Sequence, residues 1–285
     1  MPEGPSIVIL KEEAARFVGR RVVAAEGSSK IDMARLANQE LAAIHSYGKH
    51  FLLAFHGFSI RIHLLMFGSY RIDERKPDKI PRLSLTFDDG GELHFYSCSV
   101  QTIEGSLDAS YDWGVDVMAP DWDEKLARKR LRSKPDMPVC DALLDQGLFA
   151  GVGNIIKNEV LFRTRVHPMS LVGALPAAKL RELVFEARHY SFQFLEWKKE
   201  DMLKRHWLAH TKKVCPRCAV PLLKHYLGKT ARRTFYCENC QRKYPAGLVV
   251  AHAPASPKPR KRTRPSAPGL QQPASANSRR PRTVA

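Results

Sequence analysis

The hydrophobic rhythm of the chain changes twice. Residues 6–18 (SIVILKEEAARFV) carry apolar side chains on one side at helical spacing and run into Gly19, which predicts a helix. From about residue 21 to 105 the apolar positions fall instead into short or alternating runs. His50 to Phe55, Ser59 to Leu64, Arg82 to Phe87 and Glu92 to Tyr96 are separated by turn material such as His56-Gly57 and Asp88-Asp89-Gly90-Gly91. One helix followed by several short strands predicts a β-sandwich. Beyond a loop around Asp112 to Pro120 the pattern becomes helical again. Asp121, with Glu124 three positions later, has the form of a capping box opening a helix to about Arg132. Residues 139–148, 154–162 and 176–200 predict further helices, the last long and amphipathic.

The fold class expected is therefore α+β. An N-terminal helix and β-sandwich domain spans 1–112, a helical domain 121–210 and a four-cysteine segment 211–246. The Pro, Ala, Ser and Arg of residues 252–285 lack the apolar content to order themselves, so a disordered basic tail is expected there. No apolar stretch follows a basic N-terminal region, and no run approaches the length of a membrane span. The expected setting is cytoplasmic, at the nucleoid in a bacterium, or nuclear in a eukaryote, with no membrane partner.

Charge narrows the partner. Lys and Arg exceed Asp and Glu by 17 over the 285 residues. The tail contributes +8 and contains no acid, which leaves the body at +9. A basic body points to a polyanion, and nucleic acid outranks an anionic membrane because no amphipathic basic helix stands out.

Four short motifs carry candidate chemistry. Cys215-Pro-Arg-Cys218 and Cys237-Glu-Asn-Cys240, with 18 residues between the pairs, can supply four thiolates to one Zn2+. With every ligand place filled by sulfur, that zinc is structural. The intervening residues read as two strands around Gly228, a hairpin carrying Lys224, Lys229, Arg232 and Arg233 and suited to phosphate contact. Gly151-Val152-Gly153-Asn154 lies between two helices, where the second helix can turn free N–H groups toward an anion. Tyr47-Gly48-Lys49-His50 enters a strand, and His63-Leu64-Leu65-Met66-Phe67-Gly68 leads apolar residues into a glycine turn. The chain opens Met1-Pro2-Glu3-Gly4-Pro5; removal of Met1 leaves a secondary amine beside a carboxylate. An α-amino group titrates near pH ~8, so a usable fraction is a neutral nucleophile at cellular pH.

Together and in this order the motifs resemble the family of formamidopyrimidine-DNA glycosylase and endonuclease VIII, over about residues 2–242. The resemblance implies a helix-two-turns-helix element around Gly151 to Asn154 and a bifunctional enzyme of base excision repair acting on damaged double-stranded DNA as a monomer. By likeness, Pro2 attacks the anomeric carbon and forms a Schiff base, and Glu3 is the general acid and base. Lys49 assists and contacts phosphate near the lesion, and Asn154 and Arg232 grip the backbone. Leu65, Met66 and Phe67 fill the space left by a flipped base. Base release is followed by β,δ-elimination at the abasic site.

The resemblance is closer to endonuclease VIII, which removes oxidised pyrimidines. Tyr96-Ser97-Cys98-Ser99 stands where the purine-repair branch carries a Pro-Arg-Arg-Phe-Gly loop. Ser6 departs from both branches, which usually carry Glu there. A glycosylase for oxidised purines, and a non-catalytic damaged-DNA-binding protein of the same fold, are the alternative readings.

Overall fold

A computed structural model describes residues 2–244. The basic tail expected over 252–285 lies outside the described residues.

Helix α1 (Gly4–Ala14) comes first and continues as a short 3-10 turn to Phe17. Eight strands follow: β1 (Val22–Glu26), β2 (Ala43–Tyr47), β3 (His50–Phe55), β4 (Phe58–His63), β5 (Ser69–Ile72), β6 (Leu83–Phe87), β7 (Glu92–Tyr96) and β8 (Ser99–Glu104). They form two antiparallel four-stranded sheets, in the orders β1-β6-β7-β5 and β2-β3-β4-β8. Ile7 and Leu10 of α1, Phe51 and Leu53 of β3, Ile60 and Ile62 of β4, and Leu85 and Phe95 of the other sheet share one core. Those faces interdigitate because each strand sends alternate side chains inward. The sandwich is thus real, with a helix packed against it.

The strands expected at 50–55 and 92–96 have the same limits in the structure, and those at 59–64 and 82–87 shift by a residue. The hydrophobic pattern does not reveal β1, β2, β5 and β8. These are the outer strands of their sheets, where one side of the ladder is open and polar residues are tolerated.

The helical part comprises α2 (Leu107–Ser110), α3 (Glu124–Arg132), α4 (Val139–Ala142), α5 (Asn154–Arg163) and α6 (Ala177–Lys199). Two expectations are corrected here. The cap of α3 is Asp123, whose Oδ1 accepts the N–H of Lys125 and Leu126, not Asp121. The helix expected over 139–148 closes after Ala142, because Asp145 turns the chain by accepting the Gly147 N–H. Val160 and Leu161 of α5 pack with Leu183, Val184 and Tyr190 of α6 in a second core.

Beyond α6, strands β9 (Leu223–Leu227) and β10 (Arg232–Tyr236) pair as an antiparallel hairpin. Phe162, Ala209, Cys215, Leu222 and Cys237 make a third, small core beneath it. The buried Glu159 carboxylate sets the chain entering this region, accepting the N–H groups of Leu208, Ala209 and His210. Among the described residues no helix is long and apolar enough to cross a membrane.

Candidate active site

Three backbone segments meet: the residues leading into α1, the β2–β3 turn and the turn before α5. Gly4 donates its N–H to Gly151 O at 2.9 Å. The Glu3 side chain, fully buried, runs under the first turn of α5, where Oε1 accepts Ile155 N–H at 2.7 Å. Its Oε2 accepts Gly153 N–H and Ile156 N–H, both at 3.1 Å. A carboxylate at a helix N-terminus satisfies otherwise orphaned donors and meets the positive end of the helix dipole. The contact demands glycine, since a Cβ at position 153 would lie 2.3 Å from Glu3 Cδ. Gly48 likewise has φ +54, and a Cβ there would sit 2.9 Å from Gly151 N.

The N–H groups expected to be free for an outside anion at the Gly151 to Asn154 turn are therefore largely taken by the protein's own Glu3. Burial pushes the Glu3 carboxyl above the ordinary carboxylate range, against the opposing pull of Lys49 and the three N–H groups. Lys49 moves the other way: burial lowers its pKa, with Glu3 opposing and Arg232 reinforcing. Gly48 N–H, next to Lys49, is held by the buried Asp116 through Oδ2 at 2.9 Å.

Next to this joint, with Gly48 and Gly153 in its lining, opens a cavity of about 470 Å3. Pro2, Lys49, Leu65, Met66, Asn154 and Arg232 all line it, although they come from five separate parts of the chain. His50 and His63 complete one wall, and burial, Arg61 and the neighbouring His63 and Lys49 push His50 down to about 4, so it is neutral at physiological pH. Pro2 and Met66 also border a wider cavity of about 1110 Å3, with Ser6, Glu13, Phe67 and Tyr70 on its walls. The turn joining β4 to β5 projects Leu65, Met66 and Phe67 outward, at 49%, 47% and 82% exposure. It is tight, with Gly68 N–H bonded to Leu64 O at 2.7 Å and Leu65 at φ 53.

Asn154 opens α5 and donates Nδ2 to Arg233 O at 2.9 Å; its Oδ1 is buried without a protein partner. Arg232 begins β10 and is exposed on the cavity rim. The turn behind it is held by Asp141 of α4, whose carboxylate accepts Lys229 N–H at 2.8 Å and the Thr230 hydroxyl at 3.1 Å.

The four cysteines lie apart from the cavity lining. The Sγ atoms of Cys215, Cys218, Cys237 and Cys240 are all within 4.8 Å of one another, and Cys215 and Cys240 Sγ are 3.8 Å apart. Four thiolates around one Zn2+ at about 2.3 Å require sulfur separations near 3.8 Å, so the set fits a tetrahedral zinc. All four donors being protein sulfur, the ion would brace the hairpin.

Sequence reasoning did not single out Asp116, Asp141, Glu159 or Lys157. Lys157 offers one signal, a charge directly after Ile155-Ile156 on the helix that Asn154 opens.

A helix-backed β-sandwich, a helical part with a glycine turn between helices and a hairpin between paired cysteines each contribute residues to one cavity. The formamidopyrimidine-DNA glycosylase N-terminal domain model matches residues 1–98, and the formamidopyrimidine-DNA glycosylase H2TH domain model matches residues 113–191. The chain belongs to the formamidopyrimidine-DNA glycosylase family. It is 27% identical to Endonuclease 8-like 3 of Xenopus laevis over 247 residues, covering 82% of this chain and 40% of that protein. To Endonuclease 8-like 2 of Mus musculus it is 34% identical over 167 residues, 58% of this chain and 49% of the relative. The chain thus spans less than half the length of these two relatives. The same fold occurs in Lactococcus lactis formamidopyrimidine-DNA glycosylase bound to DNA containing an AP site, with TM-score 0.74, 23% identity, and coverage of 85% of this chain and all of that one.

Proposed function

We propose that this protein is a bifunctional DNA glycosylase and abasic-site lyase of base excision repair that removes oxidised bases, pyrimidines foremost, from duplex DNA. The observation that carries this reading is the convergence on one cavity of Pro2, Lys49, Asn154 and Arg232 over the buried carboxyl of Glu3. A secondary amine, an acid whose pKa is raised by burial, and cations placed for phosphate are the groups this chemistry needs.

With Met1 removed, the Pro2 nitrogen bonds to C1′ of the damaged nucleoside as the glycosidic bond breaks and the base leaves with a proton. Glu3 protonates O4′ as the sugar ring opens, which leaves an iminium between Pro2 and C1′. The iminium acidifies the C2′ hydrogen. Glu3, ionised after protonating O4′, takes that hydrogen as the C3′–O bond breaks and the 3′ phosphate leaves, and loss of the C4′ hydrogen then breaks the C5′–O bond and expels the 5′ phosphate. Water then releases Pro2. Three of the acceptor positions on Glu3 are filled by backbone N–H groups, and Oε1, with one donor only, has capacity left for the moving proton.

Lys49 and Arg232 serve as cationic contacts for the phosphates flanking the lesion, and the exposed Leu65, Met66 and Phe67 serve as the wedge replacing the extruded nucleotide. The four cysteines hold one structural Zn2+, which keeps the hairpin carrying Arg232 in shape. The pyrimidine preference rests on the Tyr96 to Ser99 segment and on the absence of the arginine pair of the purine-repair branch. Duplexes carrying thymine glycol, dihydrouracil, 8-oxoguanine or an abasic site, with base release and strand cleavage read separately, test the assignment. Pyrimidine excision with cleavage at abasic sites is expected; binding without either product would favour a non-catalytic reader of damaged DNA.

A further inference from the structure

One carbonyl in the hairpin carries three donors. Arg233 O accepts Asn154 Nδ2 at 2.9 Å, Lys157 Nζ at 3.3 Å and Asn158 Nδ2 at 3.3 Å. The three donors stand at i, i+3 and i+4 on α5 and so share one face of that helix. Asn158 also accepts Phe235 N–H through Oδ1 at 3.2 Å. Helix α5 therefore grips β10 along the backbone on the C-terminal side of Arg232.

Lys157 is the unusual member of this set. It is fully buried, as are Asn158 and Thr234. Its Nζ donates to Thr234 Oγ1 at 2.8 Å, and that hydroxyl donates in turn to the carbonyl of Arg232 at 3.0 Å. A lysine ammonium without exposure carries a large desolvation cost, and an apolar residue of the same length would join two elements more cheaply. What the ammonium adds is direction: hydrogen bonds to the hydroxyl and the carbonyl that fix the peptide on which Arg232 is mounted. On the other side of Arg232, Asp141 fixes the turn through Lys229 and Thr230.

We propose that Lys157 is a positioning residue that acts through Thr234 to hold the Arg232 guanidinium toward the cavity containing Pro2 and Lys49. This rests on the reading of Arg232 as a phosphate contact. An arginine on a free hairpin loses conformational freedom when it meets a phosphate; a backbone already held reduces that loss. Lys157 itself, enclosed by α5 and β10, touches no DNA.

The test is a double-mutant cycle on the full chain, measured as affinity for a duplex with a tetrahydrofuran abasic analogue over a range of salt. Arg232→Ala and Lys157→Met should each weaken binding about tenfold, corresponding to about 1.4 kcal/mol, and each should lower the salt slope by about one. The double variant should bind no more weakly than Arg232→Ala alone. Thr234→Val should weaken binding in the native background and have no effect in Arg232→Ala, while Thr234→Ser should restore it; this pair decides the matter if Lys157→Met does not fold. Losses that multiply in the double variant, or a Thr234→Val protein that binds like the parent, would overturn the proposal while leaving the phosphate reading intact. Unchanged affinity and salt slope in Arg232→Ala would remove the phosphate reading itself.

Discussion

Ile155 donates its backbone N–H to Glu3 Oε1 at 2.7 Å, across 152 positions of sequence. The residue beside the proposed nucleophile is in this way the cap of helix α5, and the sandwich and the helical part share a joint that is also the proposed chemical centre. Gly153 must lack a side chain for the joint to close.

Glu3→Gln keeps the length of the side chain, loses the charge and the proton, and sets its amide NH2 against at least one N–H group that a Glu3 oxygen now accepts, so it also costs some stability. DNA affinity should change no more than a few-fold, while turnover on an abasic duplex falls by about 10²-fold or more, as expected for loss of a general acid. Gly153→Ala should disable the protein by another route, displacing Glu3 and lowering stability by about 1–3 kcal/mol through hydrogen bonds left unmade. Chemical denaturation with single-turnover kinetics separates the two; a Gly153→Ala protein of native stability and rate would refute the joint.

Elemental analysis of the purified chain should give one zinc. Chelation, or Cys237→Ser, should abolish specific DNA binding while leaving the sandwich folded, because the ligands share a small core separate from that of the sheets. Full affinity in the zinc-free protein would show that the hairpin is no anchor.

His210 provides a pH signature for the region beneath the hairpin. Its ring accepts Asn158 Nδ2–H at 3.1 Å and lies edge-on to Phe235 and Trp207, and burial, with the charges of Lys157 and Arg233, pushes it down to about 4. Between about pH 6.5 and 4 the unfolded chain binds a proton that the folded protein refuses, so stability is lost as pH falls through that window. His50, also near 4, acts in the same direction, whereas Asp116, raised by burial to about 6, gains from acid. His210→Gln should therefore lose less stability than the parent between pH 7 and 5 in urea titrations, and parallel losses would exclude a buried neutral ring.

Ser6 faces the wider cavity next to Pro2. Placing a carboxylate there with Ser6→Glu should change the relative rates for different oxidised bases by several-fold and leave cleavage of a preformed abasic site within about two-fold, since the proposed elimination rests on Pro2 and Glu3. A uniform effect on all substrates would separate Ser6 from base choice.

The inner strands, helices α1, α5 and α6, the hairpin and the cysteine set could be read from the sequence because each follows from spacing within a few residues. Edge strands such as Val22–Glu26, only one of whose residues is fully buried, send too weak an alternation to detect. Candidate site residues were visible as motifs, but what joins them was not. Asp116, Asp141, Glu159 and Lys157 look like ordinary surface charges in sequence and are buried in the fold, each bonded to backbone or side chain dozens of residues away. The Gly151 to Asn154 turn shows the same limit. Its donors were legible, whereas the fact that Glu3 satisfies them depends on the N-terminus returning to that point.

Borohydride reduction during reaction with an abasic-site duplex, followed by mass spectrometry of the trapped peptide, tests the central claim most directly. The account predicts a sugar adduct on the nitrogen of Pro2, with trapping sharply reduced in Pro2→Gly. An adduct on Lys49, or trapping at full rate in Pro2→Gly, would contradict it.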